Sequence, residues 1–350
     1  MPAIWDLPDF DAHESVHVFD DAKSGLRAVI AIHSTHLGPA AGGTRFWHYA
    51  DQQAAITDAL RLSRGMSYKN AMAGLPLGGG KGVVLAGADK RKTPEILAAF
   101  GRAIESLGGR YVTAEDVGMS DADMVAISQE TRHVAGLPVT DGETAGGDPG
   151  PFTARGVYLG IKAAAHRRLG ADNMAGVHVA IQGIGSVGGG VARLLAADGA
   201  RLTLADIDAE KLSQMATEIG ASTASLADII TIKADIFSPN ALGAILTPDS
   251  IAALDVAAVA GGANNQMRGH DDAQLLHKRG ILYAPDYVIN AGGIINVGLE
   301  YLGQSSVADV NRRIDMIPAR LRAIWDESAA DDIPAAYVAD AMAQRLIARG

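Results

Sequence analysis

The 350-residue chain contains no cysteine. That excludes a disulfide-stapled scaffold, a thiolate zinc site, an iron–sulfur cluster and a cysteine nucleophile. Aromatic residues are scarce, at 5%, and 30 Lys and Arg against 40 Asp and Glu leave a formal net charge of −10. This acidic balance argues against a general nucleic-acid binder, but leaves room for a local basic pocket that takes a small anion. No run approaches the ~18 consecutive apolar residues of a membrane-spanning helix. The stretch 1–11 carries Asp6, Asp9 and Asp11 and no basic residue, the wrong charge for a secretory signal. A soluble, cytoplasmic protein is expected, with neither nucleic acid nor membrane as partner.

What the chain has in plenty is glycine: 41 residues, about 12% against the ~7% of average proteins. They gather at 42–43, 78–80, 108–109, 146–147, 183–190, 261–262 and 292–293. These clusters interrupt well-patterned segments and read as tight backbone sites. With 48% hydrophobic residues at this length, the chain has material for two or three domains.

The run 26–33 (LRAVIAIH) reads as a strand and 52–66 as an amphipathic helix. Residues 83–85 read as a strand after a glycine turn. Thr93 and Pro94 open a helix over 93–106; 110–113 reads as a strand and 120–130 as a helix. The segment 140–151 (TDGETAGGDPGP) marks the best domain boundary. Beyond it come a helix over 153–169, a strand over 177–182, a helix over 187–198 and a strand over 201–205. The segments 211–219, 235–237, 256–260 and 281–284 continue the alternation, which implies a parallel sheet covered on both faces. From about Val310 the chain is helical, with Pro318 and Pro334 as breaks. The expected fold is α/β in two domains, 1–145 and 146–325, the second Rossmann-like and doubly wound.

Gly183, Gly185 and Gly188 complete a G-x-G-x-x-G pattern. Alone it is weak, but here it follows a strand and opens a helix, and Asp206 ends the next strand. Gly183 permits the tight turn, Gly185 lets backbone approach a pyrophosphate, and Gly188 allows close helix–strand packing. The helix N-terminus, with Ser186 and Val187, offers amide donors to phosphate. Asp206 would accept from ribose hydroxyls and repel a 2′-phosphate, and no arginine follows it, so NAD is favoured over NADP. The competing reading is a glycine-rich turn in an unliganded sheet.

The N-terminal half holds Gly42 and Gly43, Lys69 just past its helix, Lys81 after three glycines, and Asp116 after a strand. A lysine in apolar, glycine-rich sequence is costly to bury without a partner. Two such lysines and an aspartate suggest an anion site with proton-transfer chemistry. Spacing alone leaves open that both lysines are ordinary surface residues.

The sequence resembles the glutamate/leucine/phenylalanine/valine dehydrogenase family, in its leucine and phenylalanine branch. The matching runs are GPAAGGTRF (38–46), DALRLSRGMSYKNA (58–71), LPLGGGKGV (75–83), GRYVTAEDVG (109–118), VAIQGIGSVG (179–188), VAGGANNQ (259–266) and APDYVINAGGIINV (284–297). The resemblance implies NAD-dependent, reversible oxidative deamination of an L-amino acid to a 2-oxo acid and ammonium, in a homo-oligomer with no metal. It makes 1–145 the substrate, catalytic and oligomerisation domain, with a C-terminal helix over 326–350 packing back on it, and sets the site in an interdomain cleft. Lys69 would bind the substrate carboxylate with amides near Gly42 and Gly43. Lys81 would be the general base, its pKa lowered by burial and by a cation such as Lys69, and Asp116 would move protons. Asn290 would hold substrate and nicotinamide ribose. Thr153 would contact the carboxamide, and Gly261, Ala263 and Asn264 would line the ribose side.

The resemblance also bears on the substrate. Glutamate-specific relatives carry lysine just before the Gly-Gly pair; here Ala41 would leave a γ-carboxylate desolvated and unpaired. Ala41 is smaller than the usual residue of the leucine branch, whereas Ala114 adds a methyl where phenylalanine-preferring relatives have glycine. The reading is leucine and other branched-chain amino acids, with phenylalanine the alternative. Glutamate and a catalytically silent NAD-binding regulator are disfavoured, the latter because Lys81 and Asp116 are both present. The far pocket wall is expected near Ile314 and Ile317. Asn240, where relatives commonly have cysteine, reads as neutral. His13-Glu14-Ser15-Val16-His17 matches the zinc-protease pattern H-E-x-x-H, but it leads directly into an extended segment, so both histidines are read as surface residues.

Overall fold

The computed structural model describes residues 3–139, 142–241, 243–303 and 306–349. The chain forms two compact units: Met1–Asp148 with Ile294–Val310 and Met342–Gly350, and Pro149–Gly293 with Asn311–Ala341.

The first unit contains β1 (Ser15–Asp21), β2 (Leu26–Ser34), β3 (Ala40–Ala41), β4 (Thr44–Trp47), α1 (Gln52–Met72), β5 (Gly78–Leu85), α2 (Pro94–Glu105), β6 (Tyr111–Val112) and α3 (Asp121–Ser128). Its sheet runs β1-β2-β5-β3-β6, with β4 also on β5. β1, β2 and β5 pair antiparallel, and β3, β4 and β6 pair parallel. The apolar run of β2 is central, and only Arg27 in it is exposed. Asp51 caps α1 by accepting from the Ala54 amide at 2.8 Å, and Thr93 caps α2. α1 continues to Met72, so Lys69 lies on its last turn rather than beyond it.

β5 departs from expectation. The glycines at 78–80 are not a turn before the strand but part of it. A Cβ at Gly79 would collide with the Ser67 backbone of α1, one at Gly82 with the Thr44 hydroxyl, and one at Gly80 would stand 2.7 Å from the Tyr111 ring. Glycine weakens an ordinary strand; here the close approach of α1 and Tyr111 demands it.

The second unit contains α4 (Gly150–Leu169), β7 (His178–Gln182), α5 (Ser186–Ala197), β8 (Arg201–Ala205), α6 (Ala209–Ile219), β9 (Ser222–Thr223), β10 (Ile236–Pro239), α7 (Pro248–Ala253), β11 (Ala258–Val259), α8 (Asp272–Lys278), β12 (Leu282–Tyr283) and α9 (Asp286–Ile289). The strand order is β12-β11-β10-β7-β8-β9, with every pair parallel. From β7 the chain winds outward through β8 and β9, then returns to β10 on the other side. That reversal is the switch point at which doubly wound sheets bind ligands.

The last elements are α10 (Gly292–Tyr301), α11 (Val307–Ile314), α12 (Ile317–Asp331) and α13 (Ala335–Leu346). Pro318 lies in the first turn of α12 and Pro334 just precedes α13, so each proline opens a helix rather than interrupting one. The units part at Asp148 and Pro149; Thr140 and Asp141 of the expected boundary segment lie outside the described residues. The stretch Ile294–Val310, assigned by sequence to 146–325, groups with the first unit. Asn296 exchanges two hydrogen bonds with Gly146, and the Glu300 carboxylate accepts from the amides of Gly136 and Leu137 at 2.7 and 3.0 Å. Of the C-terminal stretch 326–350, Met342–Gly350 groups with the first unit. There Gln344 donates to the Tyr68 hydroxyl, and Arg349 donates to the carbonyls of Asp11, Ala12 and His33.

Candidate active site

In the first unit β5 carries Lys81, which is 5% exposed. Its Nζ donates to Oδ2 of Asp116, on the loop after β6, at 2.8 Å. The same Oδ2 accepts from Arg45 Nε of β4 at 2.9 Å. Arg45 also donates through Nη1 to Asp58 Oδ2 of α1 at 2.8 Å, and Asp58 accepts from the Tyr49 hydroxyl and from Arg61. Two strands thus converge on the Asp116 carboxylate, and Arg45 links it to Asp58 of α1.

Burial pushes the Lys81 ammonium below its ordinary value; Asp116 opposes that push and the Arg45 guanidinium adds to it. Burial would raise the Asp116 carboxyl, but Lys81 and Arg45 outweigh it and hold the group below the usual carboxylate range. The sequence reading expects a cation such as Lys69 beside Lys81; it does not name Arg45 or Asp58. Both lie inside the runs that carried the resemblance, and a charged pair with one member in a strand was the signal available.

Lys69 is half-buried on the last turn of α1. Its neighbour Asn70 is buried and donates to the carbonyls of Ala41 and Gly78, tying α1 to the ends of β3 and β5. The Gly42 amide donates to the Val112 carbonyl at 3.1 Å. Of the two amides assigned to the substrate carboxylate, Gly43's is therefore the one left without a partner among the described residues. A Cβ at either glycine would collide with main-chain carbonyls, of Gly80 and of Glu115. These glycines are needed first for packing.

Beside this cluster is an apolar recess. Ala41, Gly42 and Ala114 line one side, and Ile294, Val297 and Tyr301 of α10 the other. The α10 side was not anticipated. Ile314 and Ile317, expected as the far wall, are buried: Ile314 shows no exposed surface, and Ile317 packs toward Gly156 in the second unit.

In the second unit Gly183 has a φ of +86°, in the left-handed region. A Cβ at Gly188 would strike the Gly183 carbonyl, whereas one at Gly185 would meet nothing within 4 Å. The tight turn, the close packing and the open approach thus fall on the first, third and second glycines. Gly185 caps α5, so the first-turn amides from Ser186 and Val187 have no intrahelical partner. Asp206 ends β8; its carboxylate accepts from the Ile184 amide at 2.7 Å and the Asp208 amide at 2.9 Å.

The loop over 261–264 is held from both sides. Asn240 Oδ1 accepts from the Gly262 amide at 2.8 Å, so Asn240 fixes this loop. Asn290 is 2% exposed; its Nδ2 donates to the Gly262 carbonyl and to Asn264 Oδ1, and its Oδ1 has no partner. Ala263 is buried, Asn264 is exposed, and a Cβ at Gly261 would collide with Pro239. Thr153, in the first turn of α4, donates to the Pro149 carbonyl.

The H-E-x-x-H pattern falls at the start of β1, with no helix to bring its histidines together. His13 is not a surface residue: it is 7% exposed, and its Nε2 lies 3.0 Å from both the Leu60 carbonyl and the Ser63 hydroxyl.

Comparison with known proteins gives the class. Residues 13–133 match the family profile described as Glu/Leu/Phe/Val dehydrogenase, dimerisation domain, and residues 203–346 that of glutamate/leucine/phenylalanine/valine dehydrogenase. The chain belongs to this family of amino-acid dehydrogenases, oxidoreductases that work with a nicotinamide cofactor. Within it the similarity is to the leucine branch. A leucine dehydrogenase of Bacillus subtilis (strain 168) is 44% identical over 337 residues, covering 96% of this chain and 92% of that one. A valine dehydrogenase of Streptomyces virginiae is 42% identical, covering 96% and 94%. The crystal structure of L-tryptophan dehydrogenase from Nostoc punctiforme superposes with a TM-score of 0.85 at 39% identity, covering 96% of each chain.

Proposed function

We propose that the chain catalyses reversible, NAD-dependent oxidative deamination of leucine and other branched-chain L-amino acids to 2-oxo acids and ammonium. The observation that carries this reading is the buried Lys81–Asp116 pair beside a recess whose side-chain walls are mainly apolar. The reading carries with it a cytoplasmic location and a homo-oligomeric assembly. No described helix is long and apolar enough to cross a membrane.

The glycine loop suits a dinucleotide. Space opens at Gly185, the first-turn amides of α5 can receive a pyrophosphate, and the Asp206 carboxylate can accept from ribose hydroxyls while repelling a 2′-phosphate. Gly261, Ala263 and Asn264 would border the nicotinamide ribose, with Thr153 at the carboxamide. The orphaned Oδ1 of buried Asn290 calls for a donor, which a ribose hydroxyl or the substrate amine supplies. Held by these residues, NAD would supply the acceptor for the hydride that leaves the amino-acid Cα.

The protein's own groups do the rest. Lys69 and the Gly43 amide fix the substrate carboxylate. Lys81, its ammonium pushed down by burial, takes a proton from the water that attacks the substrate imine. Asp116 moves protons to and from the departing amine. In the recess, Ala41 and Ala114 offer no cation for a glutamate γ-carboxylate, whose desolvation there would cost several kcal/mol. The small Ala41 side chain favours one second reading, an aromatic substrate such as phenylalanine.

A steady-state panel of leucine, valine, phenylalanine, tryptophan and glutamate, each with NAD and with NADP, tests the reading. Leucine and valine with NAD are expected to give the highest kcat/KM. A preference for glutamate or for NADP would contradict it, and a preference for phenylalanine would replace the aliphatic reading with the aromatic one.

A further inference from the structure

Resting on the site proposed above, we infer that Arg45, braced by Asp58, is a positioning residue that fixes Oδ2 of Asp116 against Lys81 and leaves Oδ1 as the oxygen that carries the proton.

The geometry is specific. Lys81 Nζ and Arg45 Nε both donate to Oδ2, at 2.8 and 2.9 Å, and no hydrogen bond from the described residues reaches Oδ1. An oxygen held by two cations is a poor proton acceptor, whereas its free partner can receive one. The Asp116 side chain keeps about a quarter of its surface exposed, so a substrate group can approach it. Arg45 is itself oriented at its other end: Nη1 donates to Asp58 Oδ2, and Asp58, only 11% exposed, is satisfied by the Tyr49 hydroxyl at 2.6 Å and Arg61 at 3.0 Å. The planar guanidinium spans two carboxylates with two different nitrogens, which a lysine ammonium cannot do in the same geometry.

The arrangement has an electrostatic consequence. Arg45 and Lys81 share one oxygen, so the guanidinium stands beside the base and disfavours its protonated form. The charged and titratable groups around Arg45 are Asp116 and Lys81, Asp58 and Arg61 of α1, Tyr49, and Asp9, which borders the same surface cavity as Arg45 and Asp58. Glu115 adjoins Asp116 in the chain; burial and hydrogen bonding to Asp121 push its carboxyl up to about 7. Asp58 acts on Lys81 in the sense opposite to Arg45, favouring the protonated form.

The test is the pH profile of kcat/KM for leucine oxidation. Lys81 must be neutral to act, so the profile has an acid limb that follows its ionisation. In Arg45→Gln the limb is expected to move to higher pH, with kcat at the optimum reduced ~10- to 100-fold, the range of a lost electrostatic or positioning contact. Arg45→Lys keeps the charge and so should keep the limb near its wild-type position while kcat still falls. Asp58→Asn should not move the limb upward. A parallel, merely lowered profile for Arg45→Gln, with melting temperature unchanged or reduced, would mean a structural role and overturn the inference. So would an unaltered kcat in Arg45→Lys, or an acid limb that Glu115→Gln abolishes. The underlying reading is tested separately: if wild-type protein does not oxidise leucine, that reading fails before Arg45 is in question.

Discussion

At the residue scale, the proposed chemistry rests on side chains the sequence made conspicuous, and its proposed tuning on side chains it did not. Lys81 and Asp116 stood out because charged groups in glycine-rich or strand-end sequence need partners. Arg45 and Asp58 lie 13 positions apart and meet only because β4 and α1 both pack on β5; no local pattern signals that encounter. His33 is a second case. Its ring is enclosed, and burial first, then Arg349 and His13, lower its pKa to about 4. The unfolded chain takes up this proton below about 6.5, and the folded chain does not until about 4, so stability falls as pH drops through that window. Urea midpoints measured from pH 7 to pH 4 should show this slope, and His33→Asn should flatten it. An equal slope in the variant would assign the effect to other groups.

At the element scale, the glycine-rich strand β5 is the clearest departure from sequence reasoning. Four glycines lie within Gly78–Leu85, a composition that ordinarily argues against a strand. The reason is tertiary: α1 packs so closely that Ser67 occupies the space of a Cβ at Gly79. Gly79→Ala is expected to cost ~2–3 kcal/mol or more through overpacking, read as a lower chemical-denaturation midpoint. Gly185→Ala, where the space is open, should leave stability nearly unchanged. Equal stability losses in the two would contradict this account of the strand. Helix α2 was legible because its capping and proline signals are local, and the wall formed by α10 was not, because it depends on where a late segment returns.

At the scale of the whole molecule, the alternation of short apolar runs with helical segments after residue 150 was enough to foretell an all-parallel, doubly wound sheet. The glycine loop then fell at the switch point, where such sheets bind ligands. The composition of the units was less legible. Ile294–Val310 and Met342–Gly350 belong with the first unit, held by long-range bonds such as Glu300 to Gly136 and Arg349 to His33. Contacts across such sequence separations leave no periodic trace. The proposed nucleotide and proton-transfer roles of the two units therefore have to be tested together, in one reaction.

The most direct measurement follows the absorbance of reduced nicotinamide when the protein, NAD and L-leucine are mixed at alkaline pH, with wild type beside Lys81→Ala. The account predicts steady reduction by wild type with a 2-oxo acid accumulating in equal amount, and a rate at least ~10³-fold lower in the variant, on the scale of a lost general base. No reduction by wild type with leucine, valine or phenylalanine, or a Lys81→Ala rate equal to wild type, would contradict it.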